Sequence, residues 1–486
     1  MEELIEFVET IKNNVHDWWV SYNRKLWTTH IFVYGGLLLL VIFVGAILFA
    51  KFNLFHTDAN SARYMLSALV QSQAAIVAIV ITLTLIAVQL TASAYSPRVI
   101  DIFKKNPDMW ILLGCYGFSI FYGFIVLKLV EGAEGEFVSQ SAIWSLGWVS
   151  ISFESYVSLA YWLGAFTFVA LFLYMINIIN LLRPENIIKR LAIEITKENV
   201  SKFIESVEEN EKDRKKPVEK DPILPIMDII HGAVMKYDLE TVRVGLKAVT
   251  DQMIEIIDSD SREKIIKCFC NHFRRVRMLT VDKMDEEATG EVIKSLETFG
   301  RSTAKKNLGY ATQKITRSIE LTGVLAAKKG ECFDASTWQA VESLKLVEKV
   351  VMEKGEKFKT TAEAIALSLH NVAIAAAENK REWPTIWAVL SLEEIGKGAI
   401  KHELVRVTRR IVFSLLRIVA ITTEKGLENA TMETANSLAG LTILSEEIVK
   451  TAIQDYESGL EEKNRDSFQK FEKLYEQKLE KLRAER

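Results

Sequence analysis

The sequence has few of the residues that mark small secreted proteins or nucleic-acid-binding proteins. Only 4 cysteines and 7 prolines occur among its 486 residues. So few cysteines in so long a chain exclude a dense disulfide framework. The formal net charge is −3, and Lys and Arg do not gather into the basic stripe that a nucleic-acid interface needs. We therefore predict no nucleic-acid partner.

Charge is absent from four long stretches in the first part of the chain. Residues 27–50, 64–97, 109–127 and 155–182 contain no Asp, Glu, Lys or Arg. Because about 20 apolar residues cross the hydrocarbon core of a bilayer, each stretch is long enough to span it. We predict a transmembrane domain over 27–183, preceded by an interfacial helix over 1–26. Residues 142–153 are predicted as a re-entrant or extracellular segment.

Basic residues near the ends of the spans predict the orientation of the protein. Most of them lie before the first span, after the second and after the fourth: Lys12, Arg24, Lys25, Arg98, Lys104, Lys105, Arg183, Lys189 and Arg190. The loop after the third span is instead acidic, with Glu131, Glu134 and Glu136. Since Lys and Arg concentrate on the cytoplasmic side, we predict a multi-pass protein of the cell membrane with both termini cytoplasmic.

The second span is unusually long and carries a stripe of small and polar side chains on one helical face. The stripe consists of Ser67, Gln71, Ala74, Ala78, Thr82, Gln89 and Ser93, interrupted by the bulky Leu85. Amides and hydroxyls in hydrocarbon need protein or water beside them. One interpretation is a seam for close helix packing. The other is a pore lining in which Leu85 forms a dewetting constriction.

The second span ends at Ser96, Pro97 and Arg98, which we assign to the inner mouth. Arg98 either attracts anions to a pore or anchors the helix to lipid phosphate. The stretch QSQAAIVAIVITLTLIAVQLTASAYSPRVIDIF resembles the signature of a large prokaryotic family of predicted membrane proteins without an assigned function. The resemblance covers roughly residues 60–130. It implies a membrane location and a shared architecture, and it supplies no catalytic residue and no substrate.

The remainder of the chain predicts a cytoplasmic domain of helical repeats. A connecting helix and a charged linker are expected over 184–225. Ser-Leu pairs then recur at 295, 343, 391 and 437, and a second series of Ser-Leu or Ser-Ile pairs at 318, 368 and 414. A period near 48 residues is typical of helix pairs that stack into a solenoid. We predict a solenoid-like domain over 226–458, the alternative being a non-repeating bundle. The charged tail, 459–486, is either a short coiled coil or an amphipathic helix that docks on its own domain.

No residue cluster has the spacing of a catalytic or metal site. Cys268, Cys270 and His272 are metal-ligand types, but paired zinc ligands stand farther apart and no second pair lies nearby. The other histidines have no partner at catalytic spacing: His16, His30, His56, His231, His370 and His402. A glycine-rich phosphate loop is also missing. We predict a protein that is not an enzyme and that holds no metal or cofactor.

The fold class we predict is all-α, with four spans and a cytoplasmic helical-repeat domain. The function we favour is a homo-oligomeric ion channel, lined by the second span and gated through the repeats. Its predicted partners are other copies of itself, the lipid bilayer, inorganic ions and a cytosolic ligand on the repeats. A secondary transporter is disfavoured because only His30, at the edge of a span, is titratable. A membrane-anchored scaffold that recruits a partner is the third hypothesis.

Overall fold

Four long apolar helices lie in the first part of the chain in the computed structural model. They are α1 (Trp27–Phe52), α2 (Ala59–Ala94), α3 (Pro107–Glu131) and α4 (Phe153–Leu181). Their apolar stretches of 20, 34, 24 and 27 residues are each long enough to cross a membrane. The predicted four-span arrangement is confirmed.

The structure describes residues 27–52, 59–94, 100, 106–131, 142–146, 149–212, 217–258, 263–459 and 462–485. The chain divides into two compact units, residues 1–190 and 191–486. We call them the membrane unit and the repeat unit.

A short β-hairpin precedes the fourth span. Strands β1 (Ala142–Leu146) and β2 (Val149–Ser152) pair in antiparallel fashion. Aromatic and β-branched residues such as Trp144, Val149 and Ile151 favour extended backbone. Most of residues 142–153 therefore belong to these two strands, which form the one sheet among the described residues.

Glycines let α2 approach its neighbours closely. A Cβ on Gly123 of α3 would lie 2.6 Å from Cγ2 of Val70, and one on Gly164 of α4 would lie 2.8 Å from Cδ1 of Leu69. Only a residue without a side chain fits such contacts, and small residues are the usual means of close helix packing in membranes.

The chain after α4 does not continue as one connecting helix. Helix α5 (Pro184–Ala192) and helix α6 (Lys197–Lys212) are separate. Pro184 occupies the first helical position of α5, where its missing N–H is harmless. Thr196 caps α6, since its Oγ1 accepts a hydrogen bond from the backbone N–H of Asn199 at 3.2 Å.

Twelve further helices follow among the described residues of the repeat unit. They are α7 (Leu224–Met235), α8 (Leu239–Ile256), α9 (Glu263–Asp282), α10 (Glu286–Lys305), α11 (Gly309–Lys329), α12 (Asp334–Met352), α13 (Lys359–Glu378), α14 (Glu382–Lys401), α15 (Val405–Lys425), α16 (Glu428–Leu444), α17 (Glu446–Ser458) and α18 (Glu462–Ala484). Single 3₁₀ turns at Glu331–Phe333 and Gly355–Phe358 precede α12 and α13.

These helices stack in two layers. Each helix packs against the helix two positions later, so that α8, α10, α12, α14, α16 and α18 form one layer and α7, α9, α11, α13, α15 and α17 the other. Contact with sequence neighbours joins the layers. The predicted repeat of helix pairs is confirmed.

Several turns between the layers share one backbone geometry. Tyr237, Met284, Asn307, Lys380 and Glu403 have φ between 57° and 61°, and Gly426 has 72°. The residue after each donates its N–H to a carbonyl five positions back, as Asp285 does to Thr280 at 2.9 Å. This is the left-handed helix ending that satisfies the last carbonyls of a helix.

The tail docks on its own unit. Phe468, Phe471, Tyr475 and Leu479 of α18 are buried, and α18 packs against α16. The hydroxyls of Tyr475 and Thr442 are hydrogen-bonded at 2.8 Å. Of the two alternatives for the tail, the structure favours the docked amphipathic helix.

Candidate functional site

Helix α2 presents three distinct faces, because successive residues turn by about 100°. One face, with Leu66, Val70 and Val88, is buried against α3 and α4. A second face is exposed and apolar, with Ile79, Leu83 and Ile86. The third face is the predicted polar stripe.

The structure leaves the stripe on the surface of the membrane unit. Gln71, Ala74, Ala78, Thr82, Gln89 and Ser93 are exposed and Ser67 is partly buried. Leu85 has 56% of its surface exposed. The stripe is therefore not the seam that holds the four helices of one copy together.

Other predicted site residues lie outside the described part of the chain. They are Ser96, Pro97 and Arg98 of the inner mouth and Glu134 and Glu136 of the acidic loop. Glu131 is the last residue of α3.

The stripe hydroxyls are satisfied within their own helix, whereas its amides are not. Thr82 Oγ1 donates to the carbonyl of Ala78 at 2.8 Å, and Ser93 Oγ donates to that of Leu90 at 2.8 Å. Such bonds to preceding carbonyls let hydroxyls lie in an apolar environment. Gln71 reaches only Ser67 Oγ, at 3.4 Å. The two exposed glutamines are thus the costly residues of the stripe.

A second polar group, which the sequence reasoning missed, lies inside the bundle. Gln73 is fully buried, and its Nε2 donates to Ser119 Oγ at 3.0 Å and to Thr167 Oγ1 at 3.2 Å. Ser119 Oγ returns a bond to Gln73 Oε1 at 3.3 Å. This triad joins α2, α3 and α4, and we call its height in the bundle the Gln73 level.

A buried histidine–aspartate pair lies at one end of the bundle. His30 Nδ1 is 2.7 Å from Asp108 Oδ1, and both residues are 1% exposed. Asn177 Nδ2 donates to the other carboxylate oxygen, Oδ2. The backbone N–H of Asp108 donates to Asn106 Oδ1 at 3.2 Å. We call this height the Asp108 level.

Thr84 of α2 lies at the Asp108 level. Thr84 follows Gln73 by eleven residues and Asp108 precedes Ser119 by eleven, which is about 16 Å along each of two antiparallel helices. Thr84 Oγ1 and Tyr174 OH are hydrogen-bonded at 3.1 Å. The adjacent Leu85 is therefore level with the His30–Asp108 pair, on the outer side of α2.

Arg63 marks the opposite end of the bundle. Its Nη2 donates to the backbone carbonyl of Val130 at 2.9 Å. Arg63 and Thr84 are 21 residues apart, about 32 Å along a helix, which matches the hydrocarbon thickness of about 30 Å. Ser67 to Thr82 of the stripe lie between these levels, whereas Gln89 and Ser93 lie beyond the Asp108 level.

Two histidines have partners that sequence spacing did not indicate. His30 Nδ1 lies 2.7 Å from Asp108 Oδ1, and His272 Nε2 lies 3.0 Å from Asp221 Oδ2. The statement that only His30 is titratable in a span is wrong, since Asp108 stands in the first turn of α3. These pairs join residues 78 and 51 positions apart, so local spacing carries no signal for them.

The Cys268–His272 segment serves packing. Burial raises the pKa of Cys268 to about 12 and also raises that of Cys270, which disfavours the thiolate that binds metals. Among the described residues, no three His, Cys, Asp or Glu side chains are grouped as metal ligands.

Three of the seven recurring serines bind carboxylates of the preceding repeat, whereas Ser318, Ser391 and Ser414 donate to carbonyls of their own helices. Ser343 Oγ donates to Glu297 at 3.0 Å, Ser368 to Glu320 at 2.9 Å and Ser437 to Glu393 at 2.8 Å. The repeated motif is thus part of the stacking between repeats.

The comparisons bear on the membrane unit first. Residues 23–228 match a family described as predicted membrane protein (DUF2254). This part of the chain is therefore similar to that family. It comprises the four spans, α5 and α6 and ends inside α7, so that most of the repeats lie outside it. The resemblance predicted from the second span is confirmed.

Likeness to other known proteins is weak. No protein with a curated description matches the chain. A solved structure described as "Circular tandem repeat protein with novel repeat topology and enhanced subunit contact surfaces" is 12% identical, with 88% of this chain and 99% of that chain covered and a TM-score of 0.37. Another, described as "Computational Design of Self-Assembling Cyclic Protein Homooligomers", is 12% identical, with 62% and 98% covered and a TM-score of 0.16. Both likenesses are too weak to indicate fold or function.

Proposed function

We propose that this membrane protein is a homo-oligomeric pore for inorganic ions, lined by the polar stripe of α2. The observation that carries the proposal is the exposure of that stripe on a face separate from every contact inside the bundle. In this proposal the protein lies in the cell membrane with both termini cytoplasmic, and the repeat unit controls the pore.

The exposed amide of Gln71 makes a solitary copy unfavourable in lipid. Moving an amide from water to hydrocarbon without hydrogen bonds costs about 4–8 kcal/mol, and Gln71 makes only the long bond to Ser67, at 3.4 Å. Gln71 lies between the Arg63 and Asp108 levels, where lipid tails would surround it. A second copy or a column of water removes this cost by supplying hydrogen-bond partners.

The interior of one bundle is filled, so conduction requires several copies. Tyr116, Phe166 and Tyr174 are buried among the four helices. A path for ions is therefore proposed between copies, along their α2 helices. Leu85 is the bulky apolar residue of the stripe, and a ring of such residues excludes ions by dewetting.

The proposal is tested by Leu85→Ser in planar-bilayer recordings of the purified protein with asymmetric salt. Hydrating the constriction should raise the resting conductance. Leu83→Ser is the matched control, because Leu83 is 53% exposed and Leu85 is 56% exposed, on different faces of α2. Leu83→Ser should lower expression without a leak. Equal, silent currents from wild type and Leu85→Ser, with oligomers intact, would contradict the pore.

A proton-coupled secondary transporter is the second candidate. The buried Asp108–His30 pair favours it, since membrane-embedded titratable groups serve as proton relays in transporters. The same recordings separate the two functions. The reversal potential of a passive pore follows the salt gradient alone, whereas that of a proton-coupled transporter shifts with an imposed pH gradient.

A membrane-anchored scaffold is supported by a different feature. Trp338, Trp383 and Trp387 of α12 and α14 are exposed, and the rings of Trp338 and Trp387 meet edge to face at 6.5 Å between centroids. Exposed tryptophans are enriched at binding hot spots. In a scaffold the stripe only packs, so Leu85→Ser would weaken the oligomer and leave no leak.

A further inference from the structure

Five helices contribute polar groups at the Asp108 level. His30 comes from α1, Thr84 from α2, Asp108 from α3, Tyr174 and Asn177 from α4, and Arg190 from α5. His30 and Asn177 both bond the carboxylate of Asp108. Burying a carboxylate this completely is costly unless it is paired and hydrogen-bonded.

Two further groups among the described residues act on this carboxylate. The guanidinium of Arg190 and the hydroxyl of Tyr174 both interact electrostatically with Asp108. The remaining charged side chains of described α1, α2 and α3 are Lys51, Arg63, Lys128 and Glu131. All four lie toward the opposite end of the bundle from Asp108.

The charge of Arg190 makes the cluster compatible with either a neutral or a protonated His30. An arginine is always protonated in proteins, so its charge offsets that of the Asp108 carboxylate. With a neutral His30 the three groups sum to zero charge, and with a protonated His30 they sum to +1. Histidine is the side chain that ordinarily changes its charge between about pH 5 and 8.

We propose that His30 and Asp108 form a proton-binding site that controls conduction past Leu85. The control of conduction rests on the proposed pore, whereas the proton site itself does not. Protonation gives His30 a positive charge, so that its bond to the Asp108 carboxylate becomes an ion pair and strengthens. This bond ties α1 to α3 at the level where Thr84 and Tyr174 hold α2.

The control has a definite direction. Acid strengthens the contacts between helices at the Asp108 level, and these contacts oppose the opening of the pore near Leu85. Conductance should therefore rise as pH is raised from about 5.5 to 8.5. One proton limits the change to about tenfold per pH unit.

The first experiment tests proton binding without any current. Full-length protein with isotope-labelled histidine is placed in nanodiscs and followed by NMR from pH 5 to 9, with His30→Gln to assign the His30 signal. A His30 signal that changes protonation state in this range supports the site. A signal that does not titrate overturns the proposal whatever the currents show.

The second experiment measures conductance against pH in the wild type, His30→Gln and His272→Gln. Glutamine retains a donor for Asp108 but does not titrate, so His30→Gln should conduct with a flat pH profile. His272→Gln is the matched control, because it removes the other buried His–Asp pair, with Asp221. Its profile should match that of the wild type.

The outcomes separate this inference from the pore itself. A wild-type conductance that does not depend on pH overturns the control by His30. So does a pH dependence that is lost in His272→Gln and retained in His30→Gln. If His30→Gln fails to fold, Asp108→Asn takes its place and should also flatten the profile. Silent wild-type currents contradict the pore, and with it the control of conduction, while the NMR titration still decides the proton site.

Discussion

At the scale of residues, the repeat unit uses a few buried polar side chains in equivalent positions. Glu320 of α11 accepts bonds from Ser368 at 2.9 Å and from Asn371 at 2.7 Å, one repeat later. His370 is the equivalent residue one repeat later, because it follows Ser368 by two positions as Glu320 follows Ser318. Burial, followed by the charge of Arg417, lowers the pKa of His370 to about 4. It is therefore neutral at physiological pH.

Glu348 is the exception, because no partner compensates its burial. It is 1% exposed, and neither of its carboxylate oxygens has a hydrogen-bond partner among the described residues. Burial raises its pKa well above the ordinary value. The side chain is therefore held as the neutral acid in the folded protein.

Glu348→Gln should stabilise the protein at neutral pH and change little in acid. Because the pKa is raised on folding, the wild-type side chain carries no penalty below the unfolded value of about 4.3. The penalty grows as pH rises above that value. Thermal unfolding at pH 4.5 and 8 measures it, and the gain in Tm should appear at pH 8. Glu342→Gln, at a partly exposed position of the same helix, is the control. An equal gain at both values of pH would contradict a buried neutral acid.

At the scale of elements, glycines set how closely the helices of the repeat unit approach. A Cβ on Gly323 of α11 would lie 2.7 Å from Cβ of Ala340 and 3.1 Å from Cγ2 of Val372. Neither neighbour is a flexible side-chain end, so relief requires movement of α12 or α13. By contrast, a Cβ on Gly398 of α14 would meet only the terminal methyl of Met352, at 3.3 Å.

Gly323→Ala should therefore destabilise the protein, whereas Gly398→Ala should be neutral or stabilising. Alanine favours a helix over glycine by about 0.8–1.0 kcal/mol at either position, so the two variants differ only in the clash. Overpacking a core costs about 1–3 kcal/mol, which exceeds the propensity gain at Gly323. Chemical unfolding followed by circular dichroism measures both. A stabilised Gly323→Ala would show that the helices are less tightly packed than described.

At the scale of the whole molecule, the proposed function requires association through α2. Each copy exposes a polar stripe and, beside it, an apolar face suited to lipid. Copies that meet through the stripe shield Gln71 from the hydrocarbon and leave Ile79, Leu83 and Ile86 to the membrane.

We expect a homo-oligomer in native nanodiscs and in mild detergent, measured by native mass spectrometry. A cysteine at Ala78 should form a disulfide between copies, while a cysteine at Leu83, on the lipid-facing side, should not. Cys115 and the other native cysteines are replaced first. Monomers in both environments, or cross-linking at position 83 alone, would remove the central pore.

The sequence by itself determined the features that depend on local pattern. Four uncharged stretches specify four spans, because hydrocarbon excludes unpaired charge and requires about 20 residues to cross. The recurrence of Ser-Leu pairs specified the helix-pair repeat, since equivalent positions of successive helix pairs carry similar residues. The docked tail was one of two alternatives that its amphipathic pattern allowed.

Only the tertiary structure decided which polar residues meet. Gln71 and Gln73 are amides two residues apart in one apolar helix, so the sequence gives both the same local signal. Gln73 is buried because Ser119 and Thr167, on two other helices, supply its hydrogen bonds. His30 likewise finds Asp108 across 78 residues. A hydrogen bond depends on the distance between atoms in space. The periodicity of the sequence fixes the direction of a side chain on its own helix, but it does not fix which other helix that side chain faces.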